Sequence, residues 1–304
     1  MQKKENKMFL NIAYISKVNL ASLNGDEGSG GNLTTIKKVT DYKGNEFVYL
    51  SGQALRRYLK DTLSQLGAKI SEISESGEPT IKDGDKYIDL NKKWNDKTKE
   101  LVYKSVVDLD LFGFMFPKTF RRWSVVKVAP MLSLLPYKGE VDYLTRKQKS
   151  DGKSGNIVQI EIDTLNFMRG NIMVNLEHLG SEVDEFTYEI KPILSKEEKK
   201  ERLSLLIDAI KFLNGGAKQA RNLEDIAPKF VVVTKQKTGN PFLLNVLKVD
   251  EEGNIDIDIL KEAIKESEVD EYYIGISKGI FNNEDEIRKE FEVMSVNEAL
   301  DRLK

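Results

Sequence analysis

The chain contains no cysteine and a single histidine, His178, among 304 residues. Disulfides, thiolate metal sites and a cysteine nucleophile are therefore excluded, and histidine acid–base chemistry has almost nothing to work with. His178 lies in the alternating run IMVNLEHLG (residues 172–180), where an ordinary strand residue accounts for it. No apolar run approaches the roughly eighteen residues that span a membrane, and the basic opening MQKKENKMFLNIAYI passes into a strand-like pattern without a signal-peptide core. The expectation is a cytoplasmic protein with no membrane partner, no cofactor and no metal. What is present, 40% apolar residues, suffices for a large core in one elaborated domain or two small ones.

The net charge of −2 conceals segregation. Residues 1–70, 111–155 and 202–248 carry net charges of +5, +6 and +5, whereas residues 71–110, 156–201 and 249–304 carry −3, −5 and −10. Basic blocks separated in sequence can converge on one groove for a polyanion, with the acidic tail turned away from it. Chance clustering on solvated faces gives the same count.

Phe9–Leu20 reads as a strand, followed by the glycine-rich loop LNGDEGSGGN. A helix opens at Ser51, and a polar insert spans Glu72–Asp96, with a second helix over Lys97–Val107. Trp123–Leu135 and Asn156–Leu165 are strand-like, and the charged segment Lys138–Gly155 between them reads as a protruding hairpin. Gly170–Leu179 alternates like a strand, and Ser195 with Glu198 forms a capping box for a helix through Leu203, Leu206, Ile207, Ile210 and Leu213. Phe230–Thr234 is a central-strand run, and Phe242–Val249 follows a Gly-Asn-Pro turn. The order is that of an α+β fold, a ferredoxin-like βαββαβ unit or modified RNA-recognition motif with long insertions. Residues 249–304 supply a peripheral, acidic α/β extension.

Val48–Leu63 (VYLSGQALRRYLKDTL) is the most informative stretch. Ser51 is a good N-cap, yet the third helical position is Ala54, so no Glu or Gln closes a capping box, and the first acid in the helix is Asp61. Arg56 and Arg57 instead place cations near the positive end of the helix dipole, an arrangement that an external anion would complete. Leu55, Leu59, Leu63 and Leu66 make the buried stripe and Gly67 the C-terminal stop, while Gln53, Arg57 and Lys60 line another face. An ordinary amphipathic helix with solvated basic residues fits the same pattern. Asn214–Arg221 (NGGAKQAR) repeats the device: Gly215 and Gly216 permit close approach, and Lys218, Gln219 and Arg221 follow, although a bare glycine turn reads the same way. The basic-Gly-aromatic strand of a conventional RNA-recognition motif is missing, so base stacking on the sheet is not expected.

Ser51-Gly52-Gln53-Ala54-Leu55-Arg56-Arg57 resembles the Ser-Ser-Gln-x-x-Lys-Arg motif of CRISPR Cascade backbone subunits, the Cas seven family. The nearest branch is the DevR type of type I-B systems, within the repeat-associated RNA-binding superfamily. Asp110–Met115 (DLFGFM), Val141–Thr145 (VDYLT), Arg169-Gly170 leading to Leu179-Gly180, and the glycine pair with Lys218 and Arg221 follow in that family's order, over about residues 8–248. Its first loop departs: Asn24-Gly25-Asp26 lacks the family's arginine, and basic residues arrive only at Lys37 and Lys38.

The resemblance implies an RNA-recognition-like palm over residues 1–248, with an inserted finger region at about 68–135 and a thumb at about 137–167. It implies a non-catalytic subunit that lines up with copies of itself along a CRISPR RNA. Other Cascade subunits flank it, and the guide is presented for pairing with target DNA. The thumb would displace one nucleotide at intervals, with Tyr143 and Leu144 wedged beside it, Thr145 and Arg146 following, and Met115 pressing from the other side. Hairpin packing for Tyr143-Leu144, and a core strand for Phe112–Phe116, are the bland equivalents. Arg121 and Arg122 complete the basic set. Two alternatives stand: a type III-like backbone that cleaves bound RNA with Asp26, and a DevR-type autoregulator that binds duplex DNA, for which no helix-turn-helix pattern is present.

Overall fold

The protein was obtained as a computed structural model that describes residues 8–23, 33–75, 77–83, 86–88, 95–116, 120–147, 154–162, 166–184, 186–216, 219–267, 269 and 271–304. Asp26 and Lys218 lie outside them.

The central strand β1 (Phe9–Val18) is buried along nearly its whole length, as the run FLNIAYISKV requires of a strand with neighbours on both edges and layers on both faces. The other main strands are β2 (Glu46–Leu50), β3 (Met131–Ser133), β4 (Asn166–Asn175), β5 (Phe230–Gln236) and β6 (Glu271–Ile276). Across the sheet the order is Val293–Met294, β6, β5, β1, β4, β3, β2 and Lys38–Thr40, with Val126–Val128 also pairing to β4. All the pairs are antiparallel except Val293–Met294 with β6. Among the described residues this makes a nine-stranded sheet in an α+β fold.

The two-residue period of β1 sorts the core. Leu10, Ile12 and Tyr14 face the layer built by α1 (Gly52–Gln65), α2 (Lys196–Lys211) and α3 (Val296–Asp301). Ala13 and Ile15 face the opposite layer, where Leu243, Leu247, Val249, Ile255 and Leu260 cover the sheet. That cover lies over β1, β5 and β6, so this part of the sheet offers no open face for stacking bases.

α1 forms over the expected leucine stripe except at Leu66, which is the C-cap residue and is exposed because the helix ends there. Leu55, Leu59 and Leu63 are fully buried, each contributing about 1.5–3 kcal/mol. The helix ends in a Schellman motif at Gly67 (φ +86°), with Ala68 N–H donating to the Leu63 carbonyl and Gly67 N–H to that of Ser64, both at 3.0 Å. The capping box of Ser195 and Glu198 opens α2. Phe242–Asn245 is a 3₁₀ turn, and Leu243 and Leu247 reach the same apolar layer at a spacing of four.

Of residues 249–304, expected as a peripheral extension, 271–304 are instead built into the main sheet: β6 pairs with β5 from Phe230 to Lys235, and α3 packs under both. The physical reason is β5 itself. A run of valines buried on both faces leaves an apolar edge that a further strand must cover.

Glu140–Lys147 pairs antiparallel with Ser154–Ile162, and Leu33–Thr34 extends the pair in parallel, so the segment expected as a hairpin over Lys138–Gly155 pairs with the strand expected at Asn156–Leu165. The polar insert becomes a small antiparallel sheet over Glu72–Ile73, Pro79–Asp83 and Lys86–Ile88, followed by helices Asp96–Ser105 and Val107–Phe112. Among the described residues, no helix is long and apolar enough to cross a membrane.

Candidate nucleic-acid interface

β2 delivers the chain to Ser51, whose side chain accepts the amide of Ala54 at 3.2 Å. The helix start has no acidic residue in its first turn. Among the described residues, no acceptor is assigned to the amides of Gly52 and Gln53. Gly52 is required for packing: a Cβ there would stand 2.9 Å from the Val128 carbonyl oxygen. From this point a groove of about 700 Å³ runs along the helix, lined by Gly52, Gln53, Arg56, Arg57 and Lys60 on one side and by Ile70, Ser71, Val128 and Pro130 opposite.

The three cations of that groove are held differently. Arg57 is exposed and, among the described residues, pairs only with Asp61 one turn on, at 2.9 Å, a contact worth little in water. Arg56 is half-buried, donates to the Phe112 carbonyl and lies 5.6 Å from the Phe112 ring; burial lowers its pKa. Lys60 closes the far end, 2.9 Å from Asp108, whose buried carboxylate also accepts the amide and hydroxyl of Ser71 at 2.7 Å. Arg57 and Gln53 are therefore the groups presented outward, with Arg56 and Lys60 as fixed charge behind them.

Lys37 and Lys38 run alongside β2 but outside the groove lining: the Lys37 carbonyl accepts Tyr49 N–H at 2.9 Å, and Lys38 pairs with Glu46 at 3.4 Å and stands over the Tyr137 ring. The glycine turn docks on a different face of α1. A Cβ at Gly215 would collide with the Tyr58 ring, Asn214 bonds Gln65 at 3.0 Å, and Gln219 donates back to the Gly215 carbonyl. Gly216 accompanies it with φ +125°, and Arg221 follows in the short helix Gln219–Asn222. Tyr143, Leu144, Thr145 and Arg146 lie on the hairpin strand, with Tyr143 opposite Gln159 and Leu144 opposite Val158.

Met115 and Arg121 face each other in a second, short hairpin, Phe114–Phe116 against Phe120–Arg122. Met115 is 66% exposed, whereas Phe112, three residues before it, is core. Arg122 takes the opposite direction to Arg121. It is buried, ion-paired to Asp110, and donates to the Tyr103 hydroxyl and the Ser181 carbonyl, both at 2.7 Å. Expected as an RNA contact, Arg122 has its donors spent inside the protein, because the Asp110 carboxylate and the carbonyls of Asp110, His178 and Ser181 take them away from water. Asp110 also accepts Arg202 at 2.8 Å and Gly180 N–H at 3.2 Å. The Asp-Leu-Phe-Gly and Leu-Gly motifs are thus two halves of one buried tie.

Sequence reasoning missed Trp123, 56% exposed beside Arg121, and Asp108, which fixes Lys60. The first had no local signal, since the outward turn of Arg121 beside it depends on pairing with Phe114–Phe116. Nothing local marked the second.

The fold is similar to that of two chains of known structure. It matches a chain of a "CRISPR RNA-guided surveillance complex, pre-nicking" with a TM-score of 0.62 at 15% identity, covering 97% of this chain and 98% of that one. It matches a chain of a "CRISPR RNA-guided surveillance complex" with a TM-score of 0.59 at 16% identity, covering 97% of each. No curated protein matches the sequence. The sequence model of the family "CRISPR-associated negative auto-regulator DevR/Csa2" matches residues 12–254, and the chain belongs to that family.

Proposed function

We propose that this chain is a non-catalytic, RNA-binding backbone subunit of a Cascade-type surveillance complex, working in the cytoplasm. Copies align along a CRISPR RNA, each gripping its phosphates and leaving its bases to pair with target DNA. One observation carries the reading: Gly52, Gln53, Arg56, Arg57 and Lys60 converge on a single groove that begins at a helix start capped by Ser51 alone, with no acidic residue in its first turn. Such a groove suits a guide of any sequence, since backbone contacts position a strand without reading it. Apart from β2, which precedes α1 and extends the sheet edge, the element order β1-α1-β3-β4-α2-β5, with sheet order β5-β1-β4-β3 and both helices on one face, supports an RNA-recognition-like palm. The hairpin of residues 140–162 supports the thumb, and Lys37, Lys38, Met115, Arg121 and the Gly215 turn remain candidate secondary contacts. Arg122 is left out of the contact set.

The test is the nucleic acid that copurifies. Gln53→Glu with Arg57→Glu is expected to keep the thermal transition of the parent and to lose its RNA, read from the ultraviolet absorbance ratio and from extraction. Unchanged RNA content overturns the site. The family's name as an auto-regulator favours one further reading, specific binding of duplex DNA. Competition between duplex DNA and CRISPR RNA in a gel shift separates the two.

A further inference from the structure

Trp123 is one of two tryptophans in the chain and is 56% exposed. A single exposed aromatic is ordinary on a folded domain, so its neighbours decide what it can do. This indole has defined neighbours. The Arg121 guanidinium stacks 4.4 Å from its centroid, and Met115, 66% exposed, stands directly across the hairpin from Arg121. The alternate positions Phe114 and Arg122 pair on the inward side, where Arg122 is locked to Asp110, Tyr103 and Ser181. The hairpin therefore has an anchored inner face and an outer face of thioether, guanidinium and indole.

The backbone that carries that face touches the segment that holds Arg56, although Trp123 and Arg121 line a separate hollow with Tyr103, His178 and Glu182. A Cβ on Gly113 would stand 2.9 Å from the Ser124 amide nitrogen, so the backbones on either side of Trp123 and Phe112 touch, and the Phe112 carbonyl is the group that holds Arg56. We propose that Trp123, with Arg121 and Met115, is a stacking platform for one unpaired nucleobase of the strand that follows the groove. The proposal rests on the RNA-binding reading above. A guanidinium lying on an indole widens the π surface and adds positive charge beside it, a combination that accepts any base next to a phosphate. The net charge of +6 over residues 111–155 favours a polyanion over an acidic or neutral protein surface.

The test uses the full chain freed of RNA, with Trp94→Phe so that Trp123 is the sole indole, titrated with a labelled oligouridine. Anisotropy of the label reports binding, and tryptophan emission reports the platform. Expected are quenching of Trp123 that tracks binding, an affinity about 5- to 150-fold weaker in Trp123→Ala, and Trp123→Phe within about threefold of the parent. Binding with neither an emission change nor a loss in Trp123→Ala overturns the platform and leaves the groove reading intact. Absence of binding by the folded parent overturns both. An emission shift that follows protein concentration alone, without RNA, assigns the surface to a second copy of this chain and overturns the platform as well.

Discussion

Arg202 on α2 reaches Asp110 at 2.8 Å across 92 residues of sequence, and its other terminal nitrogen donates to the Tyr103 carbonyl at 2.7 Å. With Arg122 on the second carboxylate oxygen, one acid bridges two buried guanidiniums, and the helix layer is tied to the segment that carries Phe112 and Met115. Burial also raises the pKa of Tyr103, whose hydroxyl accepts Arg122, so the phenol stays neutral.

Removing that acid should be severe. Asp110→Ala leaves two buried cations without a counter-ion and is expected to cost about 3–5 kcal/mol in urea unfolding. Arg202→Met leaves the Asp110–Arg122 pair intact and should cost markedly less. Equal losses for the two variants would show that Asp110 is not the hub of the network.

Gly113 and Gly44 both adopt positive φ, +68° and +87°. Only Gly113 is crowded, with the Ser124 amide 2.9 Å from an added Cβ and the Arg122 carbonyl closer still, whereas nothing lies within 4 Å at Gly44. Gly44→Ala should cost about 1–2 kcal/mol for backbone conformation alone. Gly113→Ala should cost a further amount of about 1–3 kcal/mol from overpacking. Thermal unfolding of the two variants checks the order.

Much of this architecture was legible because local chemistry decided it. The leucine stripe of α1, the capping box of α2 and the valine run of β5 each specify one conformation regardless of what surrounds them. The groove side of α1 was legible too, since Gln53, Arg57 and Lys60 share a face by helical spacing. What stayed hidden depended on partners distant in sequence. Arg122 and Arg121 are adjacent and equally basic, and only the register with Phe114 and Met115 turns one inward and the other outward. The same holds for β6, whose place beside β5 is a matter of edge coverage that no spacing announces.

Stability toward acid should fall with a definite sign. Glu198 and Glu298 close capping boxes, and hydrogen bonds from Ser195 and Ser295 lower both pKa values from the ordinary glutamate range. A lowered folded pKa means that the contribution is complete above the ordinary value and is lost as pH falls through the lowered one. Glu198→Gln keeps a side-chain acceptor without a charge, so it should flatten the decline of stability between about pH 5 and about pH 3. A decline identical to the parent's would count against the capping box as a source of acid sensitivity.

Single-cation removals should separate binding from support. Arg57→Ala takes away one outward charge and is expected to weaken oligoribonucleotide binding to the same degree for every sequence, lowering the slope of log affinity against log salt by about one. Arg56→Ala should also reduce stability, because it deprives the Phe112 carbonyl of its donor. Sequence-dependent losses for Arg57→Ala would mean that the groove reads bases.

The strongest structural prediction concerns the hairpin of residues 140–162. Among the described residues its strands pair only with each other and with Leu33–Thr34, and no strand of the nine-stranded sheet depends on them. Deleting Tyr143–Gly155 should therefore leave the cooperative unfolding of the core almost unchanged, because the buried layers on both faces of β1 lie elsewhere. If the hairpin acts as a thumb that spaces copies along the guide, the same deletion should let the protein bind RNA through the α1 groove yet abolish regular assembly. Electron microscopy of the variant mixed with long RNA would show this as a loss of uniform filaments. Filaments of parental spacing from the deletion would remove the thumb from the mechanism, while failure to fold would mean that the hairpin is part of the core after all.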